Sequence, residues 1–551
     1  MLAELSWGLV IHQNILMFDG LNSVGRSWVY RILVGCLIVS MASSAWAIAE
    51  SSRRFRQFDN SHGLNDKSSP MAIEDGESPD EQNVVFTVDG AVQKRKGHSK
   101  FNATSIPGNE SITGMAYFRQ SNGNDWLVCT STNSNVYTST NQSGTLTRIS
   151  GVASWATSAN NLSAFDTARD LFIFTDGSGS NPPWKWDPNG TTSDVTKVVA
   201  KLGGSPSNSN IIKYHKNHVI LANTASSTIS FSNLGAIETY DPGDAIEVAT
   251  NDGSTVTALW EQLDGLYIGK RRSIFRMDGS SRNDFAIHKL VDGIGPINHQ
   301  SVVVIDNICY FLGSDGHIYV YDGGVNVERI SAKLQGTING LQFGRMVQAV
   351  AAPVLTDQKQ YWLALSASGA TTHNRLLVWD IPTKSWTKFV GINANALAWA
   401  YDSNSKLQMY SGGYNGIIYK EQDTNADDGV AINAYWVSKQ FHMPEIPNEK
   451  IFRRINSVLT ADGNWNVTLE ARSDFQGAGT TKTINVGQGT SLWSVMVWGV
   501  DVWGGRSVFE SKLPFDNKIA DWIQVKYSNA NASEPFTMRG FEVDVESTGR
   551  P

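Results

Sequence analysis

The sequence predicts an all-β protein: a β-propeller of about seven blades, with six to eight open, followed by a C-terminal β-sandwich-like domain. Composition is the first reason. Of 551 residues 49 are Gly and only 18% are charged, while Ser, Thr and Asn are plentiful, as in short strands joined by tight turns. A hydrophobic fraction of 41%, with 10% aromatic residues, is enough to build cores. The second reason is a coarse repeat between residues 106 and 424. The third is a change in strand character after Asp423. The expected organisation is a signal-like or anchor segment over 1–50, an extended lead-in over 51–104, the propeller over 105–425 and the sandwich-like domain over 426–551.

Residues 28–49 read WVYRILVGCLIVSMASSAWAIA. Arg26 and Arg31 lead into an apolar run, then small residues and two A-x-A sites, Ala45-Trp46-Ala47 and Ala47-Ile48-Ala49, which is the grammar of a secretory signal. The run is short for a membrane span. The stretch before Arg26 is long for the leading part of a signal, so a start at Met41 stays open as a second account. The lead-in that follows is rich in Asp, Ser, Asn and Gly, contains Pro70 and Pro79, and has few apolar anchors. Such a segment is suited to draping over another surface and ordering on contact. Arg53, Arg54 and Arg56 are expected to meet acidic groups on a neighbour there.

From 106 to 424 a unit of roughly 33 to 57 residues recurs about seven times, each with two or three β-branched or aromatic runs between turn residues. Examples are 126–137 (WLVCTSTNSNVY), 218–231 (HVILANTASSTISF), 266–277 (LYIGKRRSIFRM) and 407–419 (LQMYSGGYNGIIY). One such sheet cannot bury both faces by itself, so the recurrence of the unit favours radial stacking of blades over a pair of β-sandwiches, which the same local pattern would also allow. Asp315-Gly316 has the composition of a type I′ hairpin turn. The stretch DTNADDG at 423–429 reads as a polar linker. Beyond it, 466–471 (NVTLEA), 493–503 (WSVMVWGVDVW), 522–527 (WIQVKY) and 538–545 (MRGFEVDV) alternate with period two, as strands with one buried face do.

Signals for chemistry are weak. Gly97-His98-Ser99 begins a serine-hydrolase elbow, but Phe101 stands where its second glycine belongs. His215 and His218 have H-x-x-H spacing without a third ligand and are expected at a surface or blade edge. Asp423, Asn425 and Asp427 start like a calcium loop, yet Asp428 replaces the turn glycine and Ala434 the bidentate glutamate, so a solvated linker is expected. Cys129 and Cys309 lie in strand-like runs and read as buried thiols. No catalytic residue, cofactor or metal site is expected. Two basic clusters remain, Lys94-Arg95-Lys96 with Lys100, and Lys270-Arg271-Arg272 with Arg276. On a strand Lys270 and Arg272 would share one face. These clusters are read as solvated strand edges or as an interface with an acidic neighbouring subunit.

Within 55–101, Gly63-Leu64-Asn65, Ser69-Pro70, Asn83-Val84, Gly90-Ala91-Val92 and Arg95-Lys96-Gly97 follow in a fixed order. That order resembles the N-terminal segment of podovirus tail-nozzle, tail-tube and DNA-stabilization proteins. Residues 256–279 and 293–324 resemble that family's blades, and the closing FEVDVESTGR resembles its final strand. The resemblance implies a non-enzymatic virion protein that multimerises into a ring, a hexamer, below the portal and adaptor. Double-stranded DNA would pass through the lumen without sequence-specific binding, and the folded part would not engage a membrane. Candidate assembly residues are Arg53, Arg54, Arg56, Asn83, Lys94, Arg95, Gly97, Lys270 and Arg272. The formal net charge of −7 argues against a surface built to grip nucleic acid and suits a lumen that lets it slide. A second function stays open: a secreted or periplasmic β-propeller that binds carbohydrate or protein, or a glycan hydrolase with a convergent carboxylate pair.

Overall fold

The computed structural model of the protein describes residues 53–149, 158–189, 200–249, 252–356, 358–443, 449–460, 462–474, 479–487 and 508–548. The signal-like segment 1–50 and the alternating run 493–503 lie outside the described residues. No helix among the described residues is long and apolar enough to cross a membrane.

Seven four-stranded antiparallel sheets follow one another along the chain. Their first strands are Ile112–Arg119, Phe165–Ala168, Ile211–His215, Val256–Gln262, Val303–Ile305, Val350–Leu355 and Ala396–Tyr401. In the first six sheets, four consecutive strands pair as a simple meander. The seventh receives only three strands this way, ending with Ile418–Thr424. Its fourth is Gly97–Lys100 from the lead-in, with Lys100 opposite Tyr419 and Ser99 opposite Lys420.

The turns explain the Asn and Asp content. Between the first and second strands of the second to fifth sheets lie Arg169-Asp170, Lys216-Asn217, Leu263-Asp264 and Asp306-Asn307, each residue with positive φ. Two consecutive residues of that kind make the type I′ turn, whose twist matches the strands it joins. Asp315-Gly316 differs from expectation. Only Gly316 (φ +82°) is left-handed, and its N–H bonds Gly313 O at 3.0 Å, so the turn is type I closed by a glycine bulge.

Apolar clusters join each sheet to the next. Phe118, Trp126 and Val128 of the first sheet meet Phe172, Trp184 and Trp186 of the second. Tyr310, Leu312 and Ile318 of the fifth meet Tyr361, Leu363 and Trp386 of the sixth. Ile112, Leu127 and Cys129 of the first also meet Ala396, Tyr410 and Ile418 of the seventh. The four other adjacent pairs are joined in the same way. Each sheet is therefore covered on both faces, so central strands such as His218–Ala222 and Gly265–Lys270 are buried at every position.

Two further sheets share one core. The first pairs Val508–Ala520, Lys450–Thr460, Thr537–Ser547, Val92–Lys94 and Val84–Phe86 in that order, with Arg53–Gln57 also on Thr537–Ser547. The second pairs Thr480–Asn485, Asn466–Ser473, Ile523–Asn529, Ala434–Val437 and Glu81–Gln82. Between them lie Trp436, Phe452, Leu469, Tyr527 and Phe541, together with Val84, Phe86 and Val92 of the lead-in. The lead-in is thus folded onto its own chain, contrary to the expectation that it drapes over a neighbour. Its backbone also bonds the sixth sheet, through Asn83 N–H to Lys388 O at 2.9 Å. Asp66 accepts from the Gly336 N–H at 2.7 Å, at the start of the short helix Gln335–Asn339.

Candidate functional site

Two places concentrate polar chemistry: a buried ionic cluster where the lead-in meets the seventh sheet, and a cavity among the first strands.

The cluster is built on Arg95. Its Nη1 and Nη2 bond the two oxygens of Asp427 at 2.9 and 2.6 Å, a bidentate pair. Nε bonds Asn83 Oδ1 at 2.9 Å, and the remaining donors reach Lys96 O and Val390 O, both at 3.0 Å. All five guanidinium N–H groups are satisfied, which is what a cation only 2% exposed requires. Asn83 holds its place in the left-handed region (φ 56°), and its amide donates to Asn433 O at 2.8 Å. Two glycines admit the arrangement. A Cβ on Gly97 would lie 2.2 Å from Ala426 O, and one on Gly391 (φ +102°) 2.9 Å from Asp427 Oδ2.

His98 completes the cluster. Its buried Nδ1 lies 3.4 Å from Asp427 and 3.6 Å from Glu421. Burial opposes protonation of the ring, but Glu421 and Asp427 outweigh it and lift the imidazole above its usual value. Lys94, beside this group, bonds Asn529 Oδ1 and Asn531 O at 2.8 Å each, and burial pulls its ammonium down to about 8 against the attraction of Glu534.

The candidate assembly residues divide accordingly. Asn83, Lys94, Arg95 and Gly97 are buried and held within the chain, so they present no interface. Lys270 is fully buried, donating to Ala249 O at 3.1 Å and to Asp252 at 2.9 Å. Arg271 and Arg272 form the exposed two-residue turn between Gly265–Lys270 and Ser273–Asp278, so Lys270 and Arg272 do not share a strand face. Arg54 pairs with Asp544 at 2.9 Å and Arg56 with Glu542 at 2.9 Å, acids of the same chain. Arg53 is exposed on the same strand. His215 and His218 are buried rather than at an edge, with Nδ1 contacts to Glu261 Oε1 and Ser232 O at 2.6 Å each. Asp423 lies within the strand Ile418–Thr424 and accepts from Ser99 at 2.6 Å. Asp423, Asn425, Asp428 and Gly429 are exposed, so 423–429 is in part the solvated stretch expected, with Ala426 and Asp427 buried in it.

The cavity measures about 560 Å³ and is lined by the first strands of all seven sheets. Where the strands begin, Gln300 Nε2 bonds Leu162 O at 3.0 Å and Asn395 Nδ2 bonds Ile112 O at 2.7 Å. Farther along the strands stand Tyr117, Lys213, Glu261 and Trp399. Lys213 pairs with Asp166 at 3.1 Å. Burial opposes its charge, but Asp166 outweighs it and raises the ammonium. Burial would raise Glu261, yet the His215 bond and the Lys213 charge hold the carboxyl below its usual range. Burial drives His299 down to about 3, so that imidazole is neutral. These lining residues were not singled out in the sequence. Their only signal is the alternation of inward and outward positions along short strands. No group of three or more His, Cys, Asp or Glu among the described residues is arranged to hold a metal ion.

No family model matches the chain, and no curated protein matches it. Among solved structures, it is similar to the AfRom2 CNH domain at 12% identity and a TM-score of 0.38, over 59% of this chain and 98% of that one.

Proposed function

We propose that the seven sheets close into a seven-bladed β-propeller with a C-terminal β-sandwich beside it, and that the protein is a structural component of a phage tail. In this reading it multimerises into a ring, a hexamer by the resemblance, below the portal and adaptor, and so extends the DNA channel. The closed propeller is supported by a count. Seven sheets in an open stack would have six interfaces, whereas seven clusters join them, including one between the seventh and the first. The Gly97–Lys100 strand then acts as the latch of the ring of blades.

The tail assignment is carried by one observation: the residues of the lead-in motif sit at joints where their identity matters. A Cβ on Gly63 (φ +78°) would lie 2.7 Å from Trp386 O, Gly90 has φ +84°, and Asn83, Arg95 and Gly97 build the ionic cluster. Gln300 reaches Leu162 across the cavity, which leaves a duplex no room within one chain. The DNA channel would lie between copies, and the net charge of −7 suits a lumen that does not hold its cargo.

The test is assembly. The chain from Met41, mixed with a cognate portal–adaptor complex, should add a six-fold ring visible by electron microscopy, and particles lacking it should lose their genome. A chain that stays monomeric in that mixture, or particles that retain DNA without it, would overturn the reading. A mature chain cut after Ala47 or Ala49 and recovered from periplasm would favour the secreted alternative.

A further inference from the structure

One large aromatic group stands outside the buried apolar clusters, in contact with two other rings. Trp399 belongs to none of the apolar clusters, is half-buried, and lines the cavity. Its ring centroid lies 5.7 Å from Tyr117, which also lines the cavity, and 6.1 Å from Tyr401. Large aromatic side chains are ordinarily spent on core burial, and one that lines a cavity together with hydrogen-bonding groups offers a surface on which a ligand can stack.

The polar groups of the same cavity restrict what that ligand can be. Asp166 and Glu261 bring two negative charges and Lys213 one positive charge, and His299 is neutral, which leaves the lining at −1. An anionic ligand such as a nucleotide would face a net negative lining, with Lys213 already paired to Asp166. A neutral polyol meets no such penalty, because its hydroxyls can donate to Asp166 and Glu261 and accept from Lys213. The apolar face of a pyranose ring suits an indole, and the volume of about 560 Å³ lies within the usual range for small-ligand sites.

We propose that this cavity is a saccharide-binding site, which takes the end of a neutral glycan with one ring face on Trp399 and its hydroxyls on Asp166, Lys213 and Glu261. The proposal does not rest on the tail reading, since a virion protein and a secreted one could both use such a site. It is non-catalytic: the ligand is held and no bond is broken.

The experiment is a screen of the full chain on an array of neutral and acidic glycans, followed by calorimetric titration of the best neutral glycan, with ATP titrated in parallel. Trp399→Ala should weaken binding by at least about tenfold, and Trp399→Phe, which keeps a ring, by less. Glu261→Gln should weaken it by about tenfold through the lost charge-assisted acceptor. Glu261 is 46% exposed, so this variant decides the matter should Trp399→Ala fail to fold. Absence of glycan binding at millimolar concentration, unchanged binding in the folded variants, or preference for ATP or acidic glycans would each overturn the proposal.

Discussion

The seven-sheet unit and the C-terminal two-sheet unit both draw strands from the lead-in, but they draw different material. The seven-sheet unit takes Gly97–Lys100, a polar strand on the outer edge of its last sheet. The two-sheet unit takes Val84–Phe86 and Val92–Lys94, whose Val84, Phe86 and Val92 are buried in its core. In the first case the borrowed strand fastens a stack of sheets that already cover one another. In the second it supplies apolar surface that the C-terminal residues lack. A segment poor in apolar groups can thus serve two units: Val84, Phe86 and Val92 go to the two-sheet core, Leu64 joins the apolar cluster of the fifth and sixth sheets, and the ionic residues go to the joint between.

The joint is where this contrast breaks most readily. Arg95→Ala should destabilise the protein by about 3–5 kcal/mol, because Asp427 would remain buried without its cation. Differential scanning calorimetry should show both units affected, and Arg95→Met with Asp427→Leu should recover much of the loss. If Arg95→Ala lowers only one transition, the cluster does not couple the units.

Phe86→Ala should cost about 3–5 kcal/mol through the cavity it leaves, and the loss should fall on the two-sheet unit. Equal protection loss across all seven sheets in hydrogen exchange would erase the distinction drawn above. Gly97→Ala should cost about 1–3 kcal/mol, since its Cβ meets Ala426 O at 2.2 Å. Here exchange should quicken first in Ile418–Thr424, the partner of the latch strand.

The ionic joint should also respond to pH. His98 is raised above its ordinary value of 6.5, so its stabilisation is fully present below about that pH and is lost as pH rises through the folded value. Denaturant titrations should show stability falling as pH rises above about 6.5, by at most about 1.4 kcal/mol per pH unit, the contribution of one proton. His98→Gln should flatten that slope; an unchanged slope would place the titration elsewhere. The smallest effect is expected at Arg54, 45% exposed beside Asp544, where alanine should change stability by less than about 1 kcal/mol.

Much of the all-β character was legible in the sequence because it depends on local chemistry. Runs such as LFIF at 171–174 and IYVY at 318–321, bounded by turn residues, carry β-branched and aromatic side chains that favour strands, and both form strands here. The period of the units also follows from local pattern, since each meander is complete within its own stretch of chain. What could not be read was pairing over distance. A strand within 83–100 is expected to pair into or beside a blade, and Gly97–Lys100 does so. But nothing in GHSK singles out 418–424, more than 300 positions away, because a strand edge offers the same N–H and C=O groups to any partner. The same limit hid Lys270, whose burial depends on a sheet covering each face, and whose neighbour Asp252 becomes a partner only through folding. It hid the cavity as well, since Asp166, Lys213, Glu261 and Trp399 come from four sheets. Sequence alone determined the strand-forming runs, the places of many turns and the repeat. Only the tertiary structure decided which edges met, which charges were buried and which aromatic ring was left facing a cavity.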